Sequence, residues 1–126
     1  MKEEYIELKF SLPVSVNKAY AWYYKRHKSD EYKQWEQKAE IELLKQKRYT
    51  IKWDNWLFIE YEFNMPLYTK KNKKRIVDVF NYEKALSDFL ANNIQWFQDH
   101  KIKTWLVKKE NNTKTEPFVI VKIKEI

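Results

Sequence analysis

The chain of 126 residues contains no glycine, no cysteine and only 3 prolines. Without cysteine there are no disulfides, no thiolate zinc sites and no thiol nucleophile. Without glycine there is no P-loop and no dinucleotide-binding fingerprint, because both need glycine where the backbone closes on phosphate. Enzymes that use a nucleotide cofactor in those ways are excluded. Left-handed cap and turn positions fall to asparagine, the next most tolerant residue. The pairs Asn92-Asn93 and Asn111-Asn112 stand where turns are wanted. No apolar run has the length of a membrane helix, and the opening MKEEYIELKF lacks a signal peptide's apolar core. An intracellular protein without membrane contact is expected.

Hydrophobic residues make up 44% of the chain and aromatics 17%, enough for a packed core. The length suits one domain, spanning residues 1–126, that buries roughly two thirds of its unfolded surface. The formal charge is +7, from 25 basic and 18 acidic residues. On a small domain that balance favours a polyanionic partner, since neutralising phosphates releases condensed counterions.

Tyr5–Leu12 alternates, with Ile6, Leu8, Phe10 and Leu12 on one side, as in a half-buried strand. Pro13 ends it, and Val14–Lys28 has neither helical nor strand period, so a long loop rich in aromatics and bases is expected. Trp22, Tyr23 and Tyr24 in that loop suit a core or a dimer interface. Ser29 is placed to cap a helix running to about Lys47, with Tyr32, Trp35, Ala39 and Leu43 on its buried stripe. Trp56–Phe63 alternates again, turning Glu60 and Glu62 outward. Val77 and Val79 suit a short extended piece, and Asn81 suits the N-cap of a second helix ending near Asn92. Ile102–Lys109 and Phe118–Glu125 read as two strands of a hairpin around Asn111-Asn112. The order β-α-β-α-β-β predicts an α+β single domain, a mixed sheet flanked by two helices.

The chemistry concentrates in Arg75–Asp99. Asp78 stands just before the second helix, Lys84 one turn into it, and Asp99 beyond its far end. Upstream lies the most basic stretch, Lys70, Lys71, Lys73, Lys74 and Arg75. Asp78 and Asp99 meet only if the chain doubles back after the helix. Two carboxylates that meet repel and raise one pKa unless a cation lies between them. Carboxylates with open water positions are the usual cage for Mg²⁺, which keeps its waters and binds phosphate. A lysine beside such a site suits the charge of a reacting phosphodiester. Against this stands the plainer reading of turn aspartates and a solvated lysine.

These residues, in this order, resemble the RusA family of Holliday junction resolvases. The family's D-x-D-N-x-x-K segment is met by Asp78-Val79-Phe80-Asn81-Tyr82-Glu83-Lys84, and its helix by Lys84-Ala85-Leu86-Ser87-Asp88. Its acid pair is met by Gln98-Asp99 after the apolar lead Ile94–Phe97. Its opening P-x-S-x-N is met by Pro13-Val14-Ser15-Val16-Asn17, followed by aromatics and bases through Lys25 and Arg26. The resemblance implies a RusA-like fold and a phage or prophage type of endodeoxyribonuclease in the cytoplasm of a bacterial or phage-infected cell. It implies a homodimer acting on branched DNA, a four-way junction, with Mg²⁺ as cofactor and Mn²⁺ able to substitute. Asp78, Asp99 and Lys84 carry over as catalytic, with Asp78 and Asp99 as metal ligands. Asn81, Asp88 and Asn17 carry over as supporting positions. On such a partner the basic residues Lys70, Lys71, Lys73, Lys74, Arg75, Lys25 and Arg26 are expected to bind the DNA backbone, the plainer reading of 70–75 being a solvated loop.

Two positions depart from the family pattern. Phe80 stands where the second acid of D-x-D belongs, and Gln98 where the first acid of the pair belongs. Glu83 is the nearest spare carboxylate and a third candidate ligand. The same two departures leave open a catalytically impaired relative that serves as a DNA-binding or protein-interaction module.

Overall fold

The computed structural model describes residues 5–13, 20–22, 26–46, 51, 55–75 and 79–126, with backbone alone for 20–22, 26–28, 80 and 81. Strand β1 (Ile6–Ser11) realises the alternation at the start of the chain, with Ile6, Leu8 and Phe10 buried. The stretch expected to be a loop contains instead a small antiparallel pair, β2 (Tyr20–Trp22) and β3 (Arg26–Lys28). Strands of three residues are too short to display a period of two, which is why the pattern hid them. Helix α1 (Asp30–Leu44) starts at the expected cap: the Ser29 hydroxyl accepts from the Tyr32 backbone N–H at 3.1 Å. That bond satisfies one of the helix's free N–H groups, and Asp30 and Glu31 sit favourably in its first turn.

Strands β4 (Leu57–Met65), β5 (Ile102–Asn111) and β6 (Phe118–Glu125) join β1 in a sheet ordered β1-β6-β4-β5. Strand β4 is antiparallel to β6 and parallel to β5. The hairpin expected of the last two strands is therefore absent, because β4 lies between them. Alternation fixes which face a residue occupies and leaves its neighbouring strand undetermined. The link from Asn112 to Pro117 can span about 20 Å, whereas crossing one strand takes roughly 10 Å. The most apolar strand, β4, then takes the centre. Helix α2 (Phe80–Asn93) lies in the crossover that a parallel β4–β5 pair requires.

Both helices cover one face of the sheet. Leu57, Ile59, Tyr61 and Phe63 of β4 are fully buried beneath them. Phe89 of α2 meets Phe10 of β1 edge-on at 5.6 Å and Trp35 of α1 at 5.3 Å. The Tyr32 hydroxyl donates to the Ala85 carbonyl, tying the two helices together. Each large side chain buried in this way contributes about 1.5–3 kcal/mol. The opposite face is a ladder of charge. Glu60 on β4 bridges Lys108 of β5 at 3.6 Å and Lys122 of β6 at 3.5 Å.

The outer edge of β1 is closed by side chains of α1 and the turn after it. Gln46 receives the Lys9 N–H at 2.7 Å and donates to the Lys9 carbonyl at 2.8 Å, as a neighbouring strand would. Glu42 accepts from the Ser11 N–H and hydroxyl, and the Trp35 indole donates to the Ser11 carbonyl at 3.0 Å. At the other edge, most of β5 is exposed, and no other described strand pairs with it.

Candidate active site

Helix α2 begins two residues earlier than an Asn81 cap suggests. Val79 already has helical angles (φ −68, ψ −21), and its carbonyl accepts from Tyr82 at 3.0 Å and Glu83 at 3.2 Å. Asn81 therefore lies inside the first turn, and the N-cap is Val79, with no side-chain cap bond. Val79 is likewise helical rather than extended. Its side chain is buried in the core, so packing outweighs the capping preference of the asparagine. Asp78, Val77, Asn17, Lys25, Tyr23 and Tyr24 lie outside the described residues, and for Trp22, Arg26 and Asn81 only the backbone is described.

One face of α2 carries an acid into the protein. Glu83 is half-buried, and its Oε1 accepts a short hydrogen bond from the Ser87 hydroxyl one turn on. Ser87 in turn lies 2.8 Å from the hydroxyl of Tyr61, at the middle of β4. Burial is the main cause that lifts the Glu83 carboxyl above the usual carboxylate range. The Ser87 hydrogen bond opposes it, and the charges of Asp99 and Asp88 add to the rise. The Tyr61 phenol is held well above its usual range, chiefly by burial, and Glu83, Asp99 and Asp88 raise it further. Glu83 has no ion-pair partner among the described residues.

Asp99 reaches this place because the chain reverses after α2. Ile94 closes the helix with extended angles, and the Phe97 N–H donates back to the Ile94 carbonyl at 3.1 Å. Between them Trp96 takes a left-handed φ of 68°. That conformation costs a side-chain-bearing residue about 1–2 kcal/mol. The turn is held by Phe97, buried in the core, and by Lys101, whose ammonium donates to the Trp96 carbonyl at 2.9 Å. Asp99 then opens a short 3₁₀ turn, Asp99–Lys101, where it is exposed and its charge acts on Glu83. The left-handed residues expected at Asn92-Asn93 and Asn111-Asn112 are found instead at Asn72 and Trp96 among the described residues.

Lys84 is exposed and pairs with Asp88 at 3.4 Å, four residues on. An exposed pair of this spacing is worth about 0.3–0.5 kcal/mol. Lys84 can thus exchange Asp88 for a phosphate at little cost.

The basic stretch is a built turn. Tyr68 and Lys74 form an antiparallel bridge, and the Thr69 N–H donates to the Lys73 carbonyl at 2.7 Å. Asn72 donates to the Thr69 carbonyl at 2.9 Å and takes the left-handed angle, φ 62°, that glycine usually supplies in such hairpins. The Arg75 guanidinium donates to the Pro66 carbonyl at 2.9 Å. Lys70, Lys71, Lys73, Lys74 and Arg75 are all exposed.

The charges of Asp99 and Asp88 thus both act on Glu83, and Lys84 lies on the same helix. Among the described residues no three acids or histidines stand close enough to hold a metal by themselves. Sequence reasoning missed Tyr61, Ser87 and Lys101. A tyrosine on a buried strand reads as core, and a serine within a helix reads as surface. Only the four-residue spacing of Glu83 and Ser87 hinted at a pair.

Compared with known proteins, residues 13–124 match the family model described as Endodeoxyribonuclease RusA, and no curated protein matches. The matched span runs from the end of β1 almost to the end of β6, with Glu83 and Asp99 inside it, and the chain belongs to the RusA family of endodeoxyribonucleases, whose activity is Holliday junction resolution.

Proposed function

We propose that this protein is a Mg²⁺-dependent endonuclease that, as a homodimer, places paired nicks in four-way DNA junctions in the cytoplasm of a bacterial or phage-infected cell. What supports the reading is that Glu83 is half-buried on α2, is hydrogen-bonded to Ser87, and feels the charge of Asp99. A half-buried carboxylate that feels a second acid's charge and makes no ion pair among the described residues suits a divalent metal. Asp78, Asp99 and Glu83 would hold it, Glu83 taking the part left vacant by Phe80. A bound Mg²⁺ supplies a Lewis acid for the phosphoryl oxygen and lowers the pKa of its water.

The remaining roles belong to the chain's own cations. Lys84 leaves Asp88 for the scissile phosphate and stabilises the charge that develops there. The exposed turn of Lys70, Lys71, Lys73, Lys74 and Arg75 holds the flanking DNA backbone, with Lys25 and Arg26 as further backbone contacts. Asn81, Asp88 and Asn17 support these groups. The test is cleavage of a labelled four-way junction with Mg²⁺ or Mn²⁺. Symmetric nicks that disappear in Asp99→Asn support the proposal.

A second reading rests on Phe80 and Gln98, which replace two family acids, and on the absence of a three-acid cluster among the described residues. In that reading the protein binds junctions without cutting them. Tight, salt-sensitive binding with intact DNA after prolonged incubation in Mn²⁺ would favour it.

A further inference from the structure

Tyr61 and Ser87 have no part in the roles assigned so far, yet their hydroxyls are the polar groups driven deepest beside the site. Tyr61 is wholly buried on the central strand, and Ser87 is 4% exposed on α2. Their oxygens lie 2.8 Å apart, and the Ser87 oxygen also meets Glu83 Oε1. An ionised carboxylate only accepts, and a serine has a single proton to give. Ser87 therefore donates to Glu83, which leaves its oxygen to accept from Tyr61. The hydrogen bonds run one way, from the middle of the sheet outward, and end on one oxygen of one acid. Oε2 of Glu83 accepts no hydrogen bond from any described residue.

Phenylalanine at 61 and alanine at 87 would fill nearly the same space without taking two hydroxyls out of water. A buried hydroxyl costs about 1–3 kcal/mol unless it is bonded, and serine favours helix ends over helix interiors. Here both hydroxyls are bonded, and among the described residues their chain of hydrogen bonds ends on Glu83. We propose that Tyr61 and Ser87 are positioning residues: they fix Glu83 through Oε1 and leave Oε2 as the oxygen offered to the metal. This inference rests on the proposed role of Glu83 as a metal-holding acid and names the residues that make it fit for that role.

The test is Mn²⁺ affinity of the full chain, read from the loss of the free-ion signal in electron paramagnetic resonance, together with thermal melting. The variants are Glu83→Gln, Ser87→Ala, Ser87→Thr, Tyr61→Phe and the double variant Glu83→Gln/Ser87→Ala. Removal of a group that orients a metal ligand lowers affinity by about 10–100-fold. The expected result is a loss of about tenfold in Ser87→Ala, a smaller loss in Tyr61→Phe, and recovery in Ser87→Thr, which keeps the hydroxyl. In the double variant, Ser87→Ala adds nothing to the effect of Glu83→Gln. If Glu83→Gln loses Mn²⁺ while Ser87→Ala and Tyr61→Phe bind as the wild type does, the inference fails and the role of Glu83 stands. If Glu83→Gln itself binds normally, the role of Glu83 fails and takes the inference with it. A loss in Ser87→Ala that follows a fall in melting temperature, and that Ser87→Thr does not restore, overturns positioning in favour of a structural role.

Discussion

The ammonium of Lys101 donates to the carbonyl oxygen of Trp96 at 2.9 Å, and the turn it locks is the one that carries Asp99. Lys101 is 6% exposed, so a buried cation holds this turn by its backbone. Lys101→Met keeps the apolar stem and removes the donor. The expected result is a loss of about 1.5–3 kcal/mol, the usual worth of a hydrogen bond made by a charged group, measured by urea denaturation. Because Asp99 hangs on the same turn, the variant also loses junction cleavage by more than the fraction of unfolded protein accounts for. Full activity in the folded variant would separate the turn from the site.

The pH dependence of stability carries a sign. Glu83 holds its proton to a higher pH in the native chain than in the unfolded one, chiefly because it is buried and secondarily because Asp99 and Asp88 stand near. Between the ordinary carboxylate pKa and the raised one, the native state therefore binds more protons, and stability falls as pH rises. Glu83→Gln removes that fall. Melting measured without metal between about pH 4 and pH 7 should show the glutamine variant gaining on the wild type as pH increases. A gain of the wild type over the variant in that window would contradict the burial of Glu83.

Lys84→Met tests a cation that does little for the fold. Its partner Asp88 is exposed and four residues away, so stability should change by less than about 0.5 kcal/mol. Single-turnover cleavage of a four-way junction should fall by about 10²–10³-fold, the usual consequence of losing a group that stabilises transition-state charge. A melting temperature that drops while the rate per folded molecule holds would remove Lys84 from the chemistry.

The basic turn makes a thermodynamic prediction. For duplex arms, each phosphate neutralised contributes about −0.9 to the slope of log K against log salt. Replacing Lys70, Lys71, Lys73 and Lys74 with alanine should flatten that slope by about 0.9 for every phosphate the variant leaves unneutralised. Affinity should fall by similar factors on unrelated sequences. Asn72→Gly should leave the slope unchanged, because glycine accepts the left-handed angle that Asn72 now supplies.

Much of the scaffold was legible because its determinants are local. The alternation of β1, the Ser29 cap and the buried stripe of Tyr32, Trp35 and Ala39 each depend on residues a few positions apart. The neighbours of β5 and β6 were not legible, since strand order is decided by which strand wins the centre and no local pattern records it. Asn81 read as a cap because asparagine favours that place, but the burial of Val79 pulled the helix start back toward the N-terminus. At the candidate site, the motif pointed to Asp78, which lies outside the described residues, and to Lys84 and Asp99. Nothing in it foretold that Trp96 would turn left-handed, because that turn is held by Lys101 and Phe97 against the residue's own preference. The Tyr61–Ser87–Glu83 chain joins β4 to α2 across a gap in sequence that no motif spans.

The closing of β1 by Gln46 and Glu42 has a consequence for how copies of this protein can associate. A sheet with two free edges is a tile that can be laid end to end without limit, and such growth is how soluble proteins become fibres. Here the β1 side of the four-stranded sheet is occupied at Lys9 and Ser11 by the molecule's own side chains, and among the described strands of that sheet the other edge is β5. Growth of the sheet past β1 would first have to displace Gln46 and Glu42 from that strand.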